Sequence, residues 1–233
     1  MSNNENKKNL INLIKNFSPR YSTWEVFSDF IEMSAISISN AIDKTQFTVR
    51  EEKYLQIIKK YEYKERMVFP KMFGELTMAL EKEMTDVLGE IFMELNLGSK
   101  WKGQVFTPFQ VCRAMAAMSL TNIEENIEKN GFITLSEPAC GGGALVIAIA
   151  ENLMNLGYNY QKVMKVDAID LDIKSVHMSY IQLSLLGIPA IVHHGNTLSM
   201  EIFSEWKTPT YVLDGWCFKI QRDIIFDKYG FAS

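Results

Sequence analysis

The fold class is indicated by one glycine-rich stretch, Glu137-Pro138-Ala139-Cys140-Gly141-Gly142-Gly143. A short apolar run at 132–135 precedes it, and an apolar segment with the composition of a helix, 144–156, follows it. A strand, an acidic residue, a glycine turn and a helix in this order are typical of a pocket for a nucleotide-type cofactor. A glycine triplet can also be only a flexible turn, so the neighbouring segments must decide between the two interpretations.

The acidic residue in front of the glycines narrows the choice of cofactor. The sequence contains neither GxxxxGK[ST] nor GxGxxG, so it lacks the fingerprints of a P-loop and of a standard dinucleotide site. A carboxylate such as Glu137 repels a pyrophosphate and attracts a cation. S-adenosylmethionine carries an ammonium and a sulfonium group and no phosphate, so it suits this stretch best.

Composition limits the classes of protein to consider. The chain has 233 residues, of which 47% are hydrophobic and 22% charged, and a net charge of -4, so it has no overall basic footprint for nucleic acid. Its three cysteines are widely spaced and form no CxxC or Cys/His cluster, so neither a zinc site nor a disulfide framework is indicated. No signal-peptide core and no run of about twenty apolar residues occurs, so we expect a soluble, cytoplasmic protein with no metal and no membrane contact.

Residues 1–100 are expected to form a helical N-terminal region. Ser22 has the character of a helix start, and segments 51–63 and 69–95 carry apolar stripes at helical spacing, whereas 63–67 is polar and loop-like. Such stripes most often mediate helix packing. We therefore expect this region to pack on the cofactor domain and to offer a surface for a protein partner.

After residue 100 helices and strands alternate. The pattern predicts helices at 110–120, 144–156 and 174–186, and strands at 132–136, 165–170, 190–193 and 211–213. This alternation predicts an α/β fold with a Rossmann-like parallel sheet, and a cofactor-binding domain spanning 101–233.

Polar residues follow the second and third predicted strands, where ligands of such sheets bind. Asp170 is placed to accept the hydroxyls of a ribose, although it could also cap the next helix, a role that we assign to Asp172. Asn196 can hydrogen-bond an adenine. The pair His193-His194 could suggest a metal site, but neighbours in a strand face opposite ways, and we expect both at the solvent edge.

Four motifs in order make the sequence resemble a known family. They are Gly103–Pro108 (GQVFTP), the glycine stretch, Ala168-Ile169-Asp170 and Gly195-Asn196-Thr197-Leu198. Together they resemble the adenine-N6 DNA methylases, especially the modification subunits of type I restriction-modification systems, which act on DNA together with a separate sequence-recognition subunit. The resemblance implies that S-adenosylmethionine is held at the methionine end by Thr107, at the ribose by Asp170 and at the adenine by Asn196. It implies that the methionine and sulfonium are wrapped by Glu137, Pro138, Ala139, Cys140, Gly141 and Gly143.

The sequence departs from this family in its catalytic motif. The family has Asn/Asp-Pro-Pro-aromatic after the fourth strand, where it binds the target amino group and stacks on a flipped base; this chain has no such tetrapeptide. Asp214-Gly215-Trp216 follows the predicted fourth strand, so Asp214 and Trp216 are the candidate catalytic residues. Few residues remain after them, and we expect a truncated catalytic domain.

Three functions remain open at this point. The first is a DNA adenine-N6 methyltransferase. The second is a cofactor-binding but catalytically weak partner or regulatory subunit of a DNA methylase. The third is a methyltransferase with another substrate. The missing prolines favour the second, and the cofactor motifs favour the first two over the third.

Overall fold

The computed structural model describes residues 5–95, 97, 105–119 and 123–219. Within them the helical N-terminal region and the α/β region follow one another as expected, and the fold class is confirmed. The elements, in chain order, are α1 (Glu5–Lys15), α2 (Thr23–Ile42), α3 (Phe47–Ile58), α4 (Tyr63–Arg66), α5 (Val68–Lys82), α6 (Val87–Glu94), α7 (Phe109–Ser119), α8 (Ile123–Asn130), β1 (Ile133–Glu137), α9 (Ala144–Asn155), α10 (Tyr160–Val163), β2 (Met164–Asp170), α11 (Ile173–Leu185), β3 (Ala190–Asn196), β4 (Glu201–Lys207) and α12 (Pro209–Leu213).

The sheet has the strand order β1-β2-β3-β4. The first three strands are parallel, as the alternation predicted, and Leu135 lies beside Val166, which lies beside Ala190. The fourth strand, β4, was not predicted; it runs antiparallel to β3 and pairs Glu201 with Asn196. Helix α11 packs on β2 and β3, and α2 packs on α11.

Two helical details of the N-terminal region differ from the prediction. Segment 63–67 is not a loop, because Glu62 and Glu65 form a capping box that starts α4. Segment 69–95 is not one helix, because α5 ends at Lys82 and a second helix, α6, begins after Asp86, which is its N-cap. The helix start at Ser22 is confirmed, since its side chain accepts a hydrogen bond from the backbone N–H of Glu25 at 3.2 Å.

The strand predicted at 211–213 is wrong. These residues belong to α12, which begins with Pro209 in its first turn. Proline is favoured there because its missing N–H would have no partner in the helix and its fixed φ suits a helix. The apolar run Tyr211-Val212-Leu213 therefore belongs to a short helix, and the sheet has no strand there.

One hydrophobic core joins the helical region to the sheet, extending from Leu10 in α1 to Trp206 in β4. The expectation that the N-terminal region packs on the cofactor domain is therefore confirmed. None of the described helices is both long and apolar enough to span a membrane.

Arg50 of α3 fastens the helical region to β4. Its side chain is buried, donates hydrogen bonds to Ser39 Oγ and, at 2.6 Å, to the carbonyl of Glu205, and lies 3.8 Å from the centre of the Trp206 ring. Asp43 lies 3.6 Å from the guanidinium and supplies a negative charge. A charge at this depth is tolerated because the planar guanidinium meets two acceptors, a carboxylate and the face of a ring.

Replacing this arginine tests the contact between the two regions. Arg50→Ala leaves Asp43 unpaired and the Glu205 carbonyl without its donor, and should lower the free energy of unfolding by about 3 kcal/mol. Urea denaturation followed by circular dichroism measures the change. Lys53→Ala on the same helix is the control, because Lys53 is half-exposed and its ion pair with Glu32, at 3.8 Å, is long. An equal loss in both variants would contradict the fastening role of Arg50.

Candidate functional site

The glycine stretch forms a tight turn between β1 and α9. Gly141 has φ +54° and Gly143 has φ +92°, a left-handed conformation that side chains with a Cβ rarely adopt. The backbone N–H of Cys140 donates to the carbonyl of Ile169 at 2.9 Å, which joins the turn to β2. The turn is therefore an ordered structure tied to the neighbouring strand, and the alternative of a merely flexible turn does not hold.

Asp170, at the carboxyl end of β2, holds this turn in place. One carboxylate oxygen accepts from the backbone N–H of Gly141 at 2.8 Å, and the other from that of Asp172 at 2.9 Å. Burial raises the pKa of Asp170 above its ordinary value, and the two backbone donors act against that rise. Asp172 caps α11 as predicted, accepting from the N–H of Lys174 at 3.0 Å.

A cavity of about 310 Å³ opens beside the turn. This volume lies at the lower end of the range of about 300–1,000 Å³ that is usual for ligand pockets. Its wall comes from the carboxyl ends of β1 and β2, from the segment before α7, and from the start of α6. The lining residues are Asp86, Val105, Phe106, Thr107, Cys112, Met115, Glu137, Ala139, Cys140, Gly141, Gly142, Ala144, Leu145 and Asp170.

The lining is acidic. It contains the carboxylates of Asp86, Glu137 and Asp170, and the described residues place no lysine, arginine or histidine in it. Negative charge without a compensating cation disfavours a phosphate ligand and favours a cationic one.

The two cysteines of the lining have no nucleophilic character. Burial raises the pKa of the Cys140 thiol and, in the same direction, that of Cys112. Both thiols are therefore protonated at neutral pH and serve as small apolar wall residues.

The cofactor residues expected from the sequence fall into three groups. Those that line the cavity are Thr107, Glu137, Ala139, Cys140, Gly141 and Asp170. Pro138 and Gly143 shape the turn without lining the cavity: the Pro138 carbonyl accepts from Thr197 Oγ1 at 2.6 Å, and Gly143 begins α9. The third group is Asn196 alone, which neither lines the cavity nor forms part of the glycine turn.

Asn196 lies at the carboxyl end of β3 but outside the lining. Its side-chain oxygen accepts from the backbone N–H groups of Leu198 at 3.0 Å and Ser199 at 3.4 Å, so it shapes the turn into β4. Asn196 is therefore not among the residues that line this cavity, although the next residue, Thr197, is hydrogen-bonded to Pro138.

Asp214 and Trp216 lie near the amino ends of the strands, whereas the cavity lies at the carboxyl ends. Their assignment as catalytic residues is therefore corrected. Asp214 pairs at 2.6 Å with Lys162 of α10, which leads into the amino end of β2. The Trp216 side chain is fully buried, and its ring packs edge-to-face on Phe132, just before β1, at 5.3 Å. The assignment depended on a strand at 211–213, and the helix found there turns both residues away from the cavity.

The histidine pair also differs in part from its prediction. His193 is buried, with Asp167 at 3.9 Å and Glu205 at 3.7 Å, and is not at the solvent edge. His194 is partly exposed and packs on the ring of Phe203 at 5.0 Å.

Several lining residues were missed by the reading of the sequence: Asp86, Val105, Phe106, Cys112, Met115, Gly142, Ala144 and Leu145. Gly142 was the easiest to find, since it lies inside the recognised stretch. Asp86 carried only the signal of a helix cap, and its place in the cavity depends on tertiary contacts.

Removing the Asp170 carboxylate tests its hold on the turn. Asp170→Ala deprives two backbone N–H groups of their acceptor and should lower the free energy of unfolding by about 2–3 kcal/mol. Amide hydrogen exchange at Gly141 should accelerate in parallel. Ser22→Ala is the control: it removes a helix cap of about 1 kcal/mol in the N-terminal region and should leave exchange at Gly141 unchanged. Unaltered Gly141 exchange in Asp170→Ala would show that the turn does not depend on this carboxylate.

Comparison with known proteins gives a family. The sequence pattern of the N-6 DNA Methylase family matches residues 83–223, more than half of the chain. A comparison of the chain with curated proteins finds no match. A solved structure from Listeria monocytogenes, described as a class I S-adenosylmethionine-dependent methyltransferase, aligns with a TM-score of 0.45 and 16% identity over 84% of this chain and 55% of the other. This chain thus spans little more than half of that protein's length. The matched pattern shows that the chain belongs to the N-6 DNA methylase family.

Proposed function

We propose that the chain binds S-adenosylmethionine in the acidic cavity and takes part in methylating adenine N6 in DNA. The observation that carries the proposal is the composition of the lining: three carboxylates, no basic side chain among the described residues, and a left-handed glycine turn. S-adenosylmethionine is a nucleoside that brings positive charge and no phosphate, so this lining suits it. Membership of the N-6 DNA methylase family supports methyl transfer and, more specifically, DNA as the substrate.

The residues that would hold the cofactor follow from their places in the cavity. Thr107 and Glu137, with the backbone of Gly141, would hold the methionine part. Asp170 would accept the ribose hydroxyls with lone pairs that its two backbone donors leave unused. The bound cofactor supplies an electrophilic methyl group, and the chain's own part is to hold and orient it.

A second candidate is favoured by a specific observation. The sequence has no Asn/Asp-Pro-Pro-aromatic tetrapeptide. The acid and the aromatic residue that were predicted to replace it, Asp214 and Trp216, lie near the amino ends of the strands, away from the cavity. The chain would then be a cofactor-binding partner or regulatory subunit of a DNA methylase. Both candidates require the same cavity, and they differ in whether the isolated chain transfers the methyl group.

The proposal includes a separate sequence-recognition subunit. A net charge of -4 gives the chain no general affinity for DNA. The helical region is proposed as the surface for a protein partner, and a groove between α1 and α5, lined by Asn12, Phe17, Lys71 and Met78 among others, supports this.

Two glycines flanking α9 form a matched pair for testing cofactor binding. Gly141 and Gly157 both have left-handed φ values, so alanine should strain either by about 1–2 kcal/mol. Only at position 141 would the new methyl group meet a cavity residue, with the ring of Phe106 at 3.0 Å. Calorimetry should show Gly141→Ala binding S-adenosylmethionine at least about tenfold more weakly, since one displaced charge-assisted hydrogen bond is worth that much. Gly157→Ala should bind like the wild type, and equal affinity of all three proteins would contradict this location of the site.

Tritium transfer separates the two candidates. Labelled S-adenosylmethionine is incubated with unmethylated DNA and the chain, alone and with its co-purified partner subunits, while cofactor binding is measured in parallel. The methyltransferase proposal expects label at adenine N6. Cofactor binding by the chain alone without transfer, and transfer in the mixture that survives Gly141→Ala in this chain, would select the partner-subunit candidate.

A further inference from the structure

Asp86 is a buried carboxylate that the helical region contributes to the cofactor cavity. It lies in the short connection between α5 and α6, caps α6, and is 3% exposed. It nevertheless lines the cavity together with Cys140, Gly141 and Gly142, which come from the turn after β1.

Among the described residues, only one oxygen of this carboxylate accepts hydrogen bonds. Oδ1 accepts from the backbone N–H of Gly89 and from Gln182 Nε2, both at 2.8 Å. Oδ2 accepts no hydrogen bond within the described part of the chain, and no basic group there lies within ion-pair distance of Asp86. The nearby charges of Lys7 and Glu90 pair with each other at 2.7 Å.

The capping role does not explain why this residue is an aspartate and not an asparagine. Asparagine is as good an N-cap as aspartate, and its oxygen could accept from both Gly89 and Gln182. A carboxylate in the same place costs more, because burial disfavours its charged form and raises the pKa of Asp86. The extra cost is offset if a cation occupies the cavity beside it.

Gln182 fixes Asp86 relative to the glycine turn. The amide nitrogen of this α11 residue donates both to Asp86 Oδ1 and to the carbonyl of Gly142, each at 2.8 Å. Its oxygen accepts from the N–H of Leu88 at 2.9 Å. A Cβ at position 142 would lie only 2.8 Å from Asp86 Oδ1, so the carboxylate and the turn meet without space between them.

We propose that Asp86 binds the α-ammonium group of the methionine part of S-adenosylmethionine. This inference rests on the proposed function and adds to it a residue from outside the α/β region. The glycine turn and Asp86 at the start of α6 would then contact the methionine part as neighbouring parts of the cavity wall. The cofactor site would be composite, and the helical region would be required for affinity.

The test is a cycle of two proteins and two ligands measured by calorimetry. The ligands are S-adenosylhomocysteine and its desamino analogue, which keeps the carboxylate and lacks only the ammonium. Asp86→Asn keeps the cap and the size of the side chain and removes the charge. It should weaken S-adenosylhomocysteine by about ten- to a hundredfold, the range for a hydrogen bond to a charged group. It should leave the desamino analogue bound equally well or more tightly.

Asp29→Asn is the matched control. Asp29 is also buried in the helical region, but it pairs with Lys60 and Tyr61 and does not line the cavity. Its variant should lose stability and keep wild-type affinity for both ligands. If Asp86→Asn fails to fold, Asp86→Ser keeps a capping oxygen and takes its place in the cycle.

The outcomes separate this inference from the proposed function. If the wild type binds S-adenosylhomocysteine and Asp86→Asn binds it equally well, or loses both ligands to the same extent, the role of Asp86 is overturned and the cavity assignment stands. If the wild type binds neither S-adenosylmethionine nor S-adenosylhomocysteine, the proposed function fails and the inference fails with it.

Discussion

The side-chain amide of Gln182 is the contact on which the site depends. From the last turn of α11 it donates to the Gly142 carbonyl in the glycine turn and to Asp86 in the helical region, and it accepts from the N–H of Leu88 at the start of α6. All these groups are buried, so leaving any of them unpaired would cost free energy. The amide therefore holds the helical region against the turn where Asp86 and Gly142 line the cavity.

Charge is the second constraint on the cavity. Asp86, Glu137 and Asp170 gather in one small space with no basic side chain from the described residues. Burial raises the pKa of Asp86 and of Asp170 above the ordinary value, which reflects the cost of keeping these buried groups ionised. A cationic ligand would reverse that cost, and this is the physical reason why we propose S-adenosylmethionine and not a phosphorylated nucleotide as the ligand.

The sequence predicted those parts of the fold that local pattern determines. Strands β2 and β3 were found because they are short, apolar and largely buried, β1 because it adjoins an apolar run before the glycines, and the turn because of the glycines themselves. Strand β4 was missed because Ile202 and Phe203 are exposed at the sheet edge, which hides the alternation expected of a strand. Segment 211–213 was misassigned because three apolar residues fit a strand or a short helix equally well, and Pro209 at the helix start decided the outcome.

The cavity was predicted only where its residues belong to recognised sequence motifs. Asp86 escaped because its position depends on Gln182, 96 positions away in the chain. The catalytic assignment of Asp214 and Trp216 failed for a related reason. It assumed that a strand at 211–213 carries these residues to the carboxyl ends of the sheet, and this segment is a helix.

The most direct test of the central claim is a crystal structure of the chain with S-adenosylhomocysteine. We predict that the ligand lies in the acidic cavity, with its ribose at Asp170 and its methionine part in contact with Gly141 and Asp86. Ligand density elsewhere, for example in the groove between α1 and α5, with the acidic cavity filled only by water, would contradict it.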